Sequence, residues 1–484
     1  MTMNSIKKNF AYNLIYNILT ILIPLITVPY ISRVLGPTQV GRYSYASTVS
    51  SYFGMFILLG LANYGNRTIA MIKQDDKLIQ KTFWDIYYMQ LLMSAVVLSA
   101  YVLYIVFLAD DREMAILLLV SFAGTCIDIS WFYFGMEQFG KTVSSSLAVK
   151  FINLILILTL VKTKNDIYIY TVIMCACTVV NQLILWHRAR KVIGVRKIDF
   201  RATASHFKPN LILFIPVIAV SLYTMMDKVM LGQMTNMKEL GFYENSFKVI
   251  QIPSLFVTAL GTVMLPRVTS MITDSNIEGV EHYFKESLLF AISTSSAMAF
   301  SLCGICDVFV PLFFGKGYEP CIGIIEILMV ASIFMSCANV VRTQYLIPQK
   351  MDGIFIKSSF CGAIVNCVVN LLLIPKCQAV GAAIGTLLAE AVVCIYQVIS
   401  IKEESKVIQY IKRAFPIVAV TIVEGIILTR IKYNFSLIVS LMFKVLSGFA
   451  ILALLLVLMF IILKKEYKGE LSAIKRLLFR RSKK

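Results

Sequence analysis

Apolar runs of about 20 residues recur along the whole chain, separated by short polar stretches. Each run is long enough to cross ~30 Å of hydrocarbon as a helix rising about 1.5 Å per residue. None alternates polar and apolar over about ten residues as a barrel strand does, and lipid cannot satisfy an open strand edge. The pattern therefore predicts an all-α polytopic membrane protein of about 14 transmembrane helices. The spans are 11–34, 42–64, 83–108, 114–134, 143–161, 167–187, 209–231, 243–265, 285–313, 321–346, 354–374, 379–400, 412–430 and 435–463. The first, Ala11–Val34, is too long for a signal-peptide core and lacks a small-residue cleavage site, so it reads as a retained anchor. The central loop from Arg188 to Lys208 is the longest, and no segment can form a separate soluble domain.

Composition agrees: 58% of residues are hydrophobic and 15% charged, where soluble domains carry about 25% charged residues. The net charge of +19 would suit nucleic acid, but the position of the basic residues explains it better. With the N-terminus cytoplasmic, about 31 Lys and Arg fall on the cytoplasmic face and about ten on the other. The acidic Ala109-Asp110-Asp111 turn lands outside, and the even span count returns the C-terminus to the cytoplasm. Past Lys464, Leu471, Ile474, Leu477 and Leu478 share a helical side ringed by Lys475, Arg476 and Arg480. That tail reads either as an interfacial helix on anionic lipid or as a frayed basic terminus. Most of the 11 cysteines sit inside apolar runs, where a thiol behaves as a small apolar residue. Cys303-Gly-Ile-Cys306 has metal-like spacing without a second ligand pair, so no metal or cofactor is expected.

The chain repeats itself at an offset of 200. Gly41 and Tyr43 match Gly241 and Tyr243; Val49, Phe56 and Arg67 match Val249, Phe256 and Arg267; Met71-Ile72 match Met271-Ile272. Leu35-Gly36 and Leu231-Gly232 extend the match. Six spans separate the copies, an even number, so both enter the membrane in the same direction and the repeat is parallel. The implied architecture is two pseudo-symmetric six-helix lobes, residues 1–200 and 201–405, with two further helices and the basic tail in 406–484. Two such lobes can enclose a cavity and rock about it, a geometry of transport rather than catalysis.

Ionisable groups in a bilayer cost about 2.5–3.5 kcal/mol on insertion scales. Asp128, Lys150, Asp227, Lys228, Glu244, Lys248, Glu326, Arg342, Glu390, Glu424 and Lys444 all fall inside spans. Either they pair between helices or snorkel, or several line a polar cavity between the lobes. In the second case the basic members could hold a pyrophosphate, with Arg suited to bidentate phosphate contacts. Asp128, Glu326 and Glu390 are then candidates to carry a proton or a cation. Glu244 and Lys248, four apart, are spaced to pair on one helix face. Pro24, Pro29, Pro216 and Pro253 interrupt spans, as hinges or as plain packing kinks. The aromatic stretches Tyr43-Ser-Tyr45 and Ile129–Phe134 could stack on sugar rings, but interface anchoring is the favoured reading.

Several segments carry a resemblance. They include Pro29–Gly36 with Val40–Ala46, Leu59–Arg67, Trp131–Glu137, Asp227–Gly232 and Gly261–Arg267. Leu312–Tyr318, Gln344–Pro348 and Gly381–Gly385 complete the set. In this order they resemble the polysaccharide-biosynthesis flippases, the O-antigen (lipid-linked oligosaccharide) flippases of the Wzx type. These belong to the multidrug/oligosaccharidyl-lipid/polysaccharide exporter superfamily. The resemblance implies movement of undecaprenyl-pyrophosphate-linked sugar repeats across the bacterial cytoplasmic membrane by alternating access, without ATP. No phosphate loop is present, in agreement. Arg33, Arg42, Asp227 and Lys228 match its motifs and join Asp128, Lys150, Lys248 and Arg342 as cavity candidates. Arg67 and Arg267, at cytoplasmic ends, are candidates to anchor or gate. The implied partners are the lipid-linked substrate and membrane lipids, with a polysaccharide polymerase and glycosyltransferases allowed. The alternatives are an ion-coupled multidrug exporter or a lipid II flippase on the same scaffold. An enzyme, such as a membrane polymerase or ligase, would need an external loop longer than the roughly ten residues seen here.

Overall fold

The computed structural model describes residues 3–462 except 195 and 434, so the basic tail past Lys464 lies outside the described residues. The described chain is helical throughout. In order the helices are α1 (Met3–Leu58), α2 (Leu61–Ile72), α3 (Asp76–Phe107), α4 (Arg112–Cys126), α5 (Ser130–Gly135), α6 (Phe139–Leu160) and α7 (Ile167–Ile193). They continue with α8 (Phe200–Ser205), α9 (Phe207–Met234), α10 (Met237–Thr273), α11 (Ile277–Phe313), α12 (Cys321–Val341), α13 (Asp352–Ser400), α14 (Val407–Arg430) and α15 (Leu437–Ile462).

Ten segments among the described residues are long and apolar enough to cross a membrane. Two of them hold two of the expected spans each. Inside α1, Gly36 has φ 76 and ψ 170, a conformation that breaks the helix and that glycine adopts without a Cβ penalty. Inside α13, Gln378 has φ 52 and ψ −129 and breaks it likewise. The spans expected over 243–265 and 412–430 fall on α10 and α14. The expected spans thus fall on helices or helix halves, that over 114–134 on α4 and α5 together, and the protein is a polytopic, all-α membrane protein. The break in α1 falls at Gly36, beside Pro37, and not at Pro24 or Pro29.

Helix starts are written locally. Asp75 caps α3 by accepting from the backbone N–H groups of Lys77 (3.0 Å) and Leu78 (3.1 Å). Asp111 caps α4 through Met114 at 3.2 Å. Each carboxylate satisfies donors that the first helical turn leaves unpaired. Large apolar side chains on the outer faces stay exposed, among them Leu103, Phe107, Leu372 and Leu446, as lipid-facing surface requires.

The chain divides into two compact units. The first takes in the described residues to Asn245, with Phe314–Lys316 and Ser359–Ala389; the second takes in Ser246–Phe313, Gly317–Ser358 and the described residues from Glu390. In the first unit, Phe83, Trp131, Phe132 and Tyr87 form an aromatic core on α3 and α5. Trp131, Phe132 and Tyr133 are at most 3% exposed, and Trp131 stacks on Phe83 at 5.5 Å. The Ile129–Phe134 stretch is therefore core, not an interface belt. Three of its four rings find enough partners on α3 and α7 to be buried, and Phe134 is half-buried. In the second unit, Val257, Phe284, Leu288, Val341 and Tyr410 pack together from α10, α11, α12 and α14.

Within the first unit, the repeat has a structural counterpart. A Cβ at Gly41 would strike the Met237 carbonyl, and one at Gly241 would strike the Pro37 carbonyl. The two contacts are reciprocal under the same 200-residue offset. The two repeat helices cross where neither has a side chain, and Ser44 donates to Glu244 at 3.0 Å across the same pair. The glycines hold the helices at backbone contact, the close approach that small residues permit in membrane bundles.

Candidate transport site

Asp227 is the most telling of the expected charges. It lies on α9 with 1% of its surface exposed. Its Oδ2 accepts hydrogen bonds from the Tyr243 hydroxyl and from Thr386 Oγ1, both at 2.6 Å. Its Oδ1 accepts from Asn370 Nδ2 at 2.6 Å. These partners come from α10 and α13, and all are neutral. Asn366 Oδ1 lies 3.1 Å from the same Asn370 nitrogen. Asn370 Oδ1 and Asn366 Nδ2 are buried with no hydrogen-bond partner among the described residues. Gly385 makes room here, because a Cβ at that position would run into Asn370 Oδ1.

The next residue on α9 behaves differently. Lys228 Nζ lies 2.8 Å from Glu244 Oε2. The spacing of Glu244 and Lys248 suggested a pair along one helix; the structure brings Lys228 to that carboxylate from α9. The pair is half-buried, its side chains 19% and 14% exposed, and is neutral overall. Asp227 has no such compensation in its ring of partners.

The other expected residues scatter. Arg42 is paired with Asp111 at 2.7 Å and also reaches Tyr168 and Gln39, which ties α1 to the start of α4. Asp128 closes the turn into α5 by accepting from the Ser130 N–H at 2.7 Å. Arg33 is exposed and packs beside Gly315. Lys150 on α6 is half-buried, and Arg67 on α2 is exposed. In the second unit, Lys248 is half-buried, Glu390 is buried and Glu326 is exposed. Arg342 stands over the Phe355 ring at 5.3 Å, and Arg267 over Tyr283 at 4.3 Å. The structure thus gathers Asp227, Lys228 and Glu244 in one region of the first unit. Sequence reasoning missed Tyr243, Asn366, Asn370 and Thr386, because it searched spans for ionisable groups only. The available signal was two asparagines four residues apart in an otherwise apolar run.

The fold resembles solved transporters. A lipid II flippase, MurJ, in an inward closed conformation matches with TM-score 0.74 at 11% identity, covering 92% of this chain and 98% of that one. An inward-facing multidrug resistance transporter of the MATE family matches with TM-score 0.57 at 12% identity, covering 81% and 99%. In sequence, a putative O-antigen transporter of Escherichia coli (strain K12) is 21% identical over 396 residues, 80% of this chain and 95% of that protein. A capsular polysaccharide biosynthesis protein, CapF, of Staphylococcus aureus is 22% identical over 404 residues, covering 80% and 97%. The family described as polysaccharide biosynthesis protein matches residues 6–272, more than half the chain. With that match, on an all-helical membrane fold carrying a buried polar site, the chain belongs to the polysaccharide biosynthesis protein family.

Proposed function

We propose that this protein is a flippase and not an enzyme. It moves undecaprenyl-pyrophosphate-linked oligosaccharide repeat units across the bacterial cytoplasmic membrane for surface polysaccharide assembly. The observation that carries the reading is membership of the family, joined to near full-length similarity to a putative O-antigen transporter. The two lobes, 1–200 and 201–405, alternate access to a shared cavity, and the termini lie in the cytoplasm. Arg33, Lys150, Lys248 and Arg342 supply cations for the diphosphate, whose oxygens suit charge-assisted hydrogen bonds. Arg67 and Arg267 anchor or gate.

Asp227 supports coupling to an ion gradient. Burying an isolated carboxylate anion in an apolar medium costs on the order of tens of kcal/mol in the idealised limit. Hydroxyl and amide partners reduce that cost but do not cancel the charge. A small cation bound there would meet the carboxylate and its hydroxyl and amide neighbours, and site occupancy can then bias one conformation over another.

The test is expression in a bacterium deleted for its own repeat-unit flippase but retaining matched glycosyltransferases and polymerase. Surface polysaccharide should reappear. Should lipid-linked repeat units stay confined to the cytoplasmic leaflet while the protein is present in the membrane at normal amounts, the reading is wrong.

A further inference from the structure

The first unit holds a cavity of about 350 Å³ between the second half of α1, α4 and α7. This volume is within the range of small-molecule sites, roughly 300–1,000 Å³. Its polar lining is made of hydroxyls and one thiol: Tyr43, Ser47, Ser50 and Ser51 from α1, Ser121 and Thr125 from α4, and Cys175 and Thr178 from α7. Phe122, Met55, Met174 and Leu118 supply flat or apolar surface. No Asp, Glu, Lys or Arg lines it. It is therefore distinct in chemistry from the ring around Asp227 and from the cationic candidates.

The hydrogen bonds decide what it can hold. Ser47 donates to the Ser44 carbonyl at 3.1 Å and Ser51 to the Ser47 carbonyl at 2.7 Å. Thr125 donates to the Ser121 carbonyl at 3.2 Å and Thr178 to the Cys175 carbonyl at 2.6 Å. These four hydroxyls spend their one proton on their own helices and keep their oxygen lone pairs for another partner. A wall rich in hydroxyl oxygens and without a cation offers a diphosphate none of the charge-assisted contacts it binds best. It is also a poor site for a hard cation, which is held by charged carboxylates and several converging carbonyls. It suits a neutral molecule dense in O–H or N–H donors with an apolar face to lay on Phe122 and the methionines.

We propose that this cavity is a binding subsite for a neutral sugar of the transported head group, separate from the groups that hold the diphosphate. The identity of the ligand as part of a transported molecule rests on the flippase reading; the cavity's preference for a sugar does not. Gly54 is the handle. It lines the cavity, and a Cβ built there meets nothing within 4 Å. A larger side chain at this position fills the cavity without displacing backbone.

The experiment compares Gly54→Phe with Gly54→Ala in reconstituted vesicles. Two probes are used, a polyprenyl diphosphate carrying a disaccharide and the same polyprenyl diphosphate without sugar. Gly54→Phe should slow flipping of the sugar-bearing probe by roughly tenfold, about 1.4 kcal/mol at the conversion of one decade, and leave the bare probe unchanged. Gly54→Ala should resemble wild type with both. Equal slowing of the two probes, or of neither, overturns the proposal. Ser51→Ala combined with Thr178→Val gives a second, conservative test that keeps the cavity's size. It should reduce sugar-probe flipping several-fold, and an unchanged rate counts against the subsite. Should wild type move neither probe, the flippase reading fails, and the subsite is judged by melting of the solubilised protein with methyl glycosides. Stabilisation of wild type and Gly54→Ala but not of Gly54→Phe supports it; no stabilisation of any overturns it.

Discussion

Two charged side chains sit at about the same depth of burial and are treated in opposite ways. Asp227 in the first unit and Lys444 in the second are each 1% exposed. Lys444 on α15 bonds both oxygens of Asp307 on α11, at 2.7 and 2.9 Å, and the Gly304 carbonyl at 3.3 Å. Its charge is cancelled where it stands. Asp227 is held by hydroxyls and an amide, none of which carries charge. The first arrangement fastens a helix pair. The second holds a carboxylate with neutral donors alone, the arrangement on which the proposed ion coupling rests. Breaking a pair and emptying a site are different experiments, and the contrast predicts different readouts for each.

The largest effect is expected at Asp227. Asp227→Asn keeps shape and most hydrogen-bonding capacity while removing the charge that would attract an ion. Transport should fall to background, with melting of the solubilised protein nearly unchanged. Were Asp227 only a structural group, the same variant would lose stability and activity together, so measuring both separates the readings. Thr386→Val and Asn370→Leu should fall between: each removes one ligand oxygen or donor, and the apparent affinity for the driving ion should weaken before maximal rate does.

At the pair, stability should be lost first, and unequally. The Asp307 side chain is 55% exposed against 1% for Lys444. Asp307→Ala strands an ammonium in an apolar site, a change costing about 3–5 kcal/mol when a buried partner is removed. Lys444→Met strands a carboxylate that already reaches polar surroundings, so its cost should be well below that. Replacing both at once, Asp307→Leu with Lys444→Met, should recover most of the loss, since apolar substitutes for buried pairs are often neutral or better. Thermal unfolding in detergent orders the three variants. A Lys444→Met variant less stable than Asp307→Ala would refute the assignment of the burden to the lysine.

How far the sequence could lead follows from the same two groups. The spans were legible because each needs only a local run of apolar residues, but the break at Gly36 was not written in the repeat, since its counterpart Gly232 lies inside α9. The reciprocal seating of Gly41 and Gly241 was half-visible: their equivalence could be read from the offset, their mutual contact could not. Asp227, Lys228 and Lys444 were legible as charges in the wrong solvent. Their partners were not, because Asn370 and Thr386 are 143 and 159 residues from Asp227 in the chain. No local pattern encodes that distance. The aromatic run at Trp131 misled for a related reason: rings that belt an interface and rings that fill a core have the same composition, and only packing against Phe83 tells them apart.

The smallest effect is expected where a pair is exposed. Lys406 lies 3.2 Å from Glu281 outside the spans, with side chains 59% and 39% exposed. Its hydrogen bond and attraction to Glu281 raise the lysine's pKa above its ordinary value. A raised cation contributes stability that is fully present below its unfolded value, near 10.4, and is lost only as pH rises through the folded one. Between pH 5 and 9 that contribution is therefore flat. Water screens the pair on both sides, and such exposed pairs add little. Lys406→Ala should shift melting less than any variant above, with no pH trend across that range. A shift rivalling that of Asp307→Ala would mean that burial is not what sets the value of an ion pair in this protein, and the contrast between Asp227 and Lys444 would lose its physical basis.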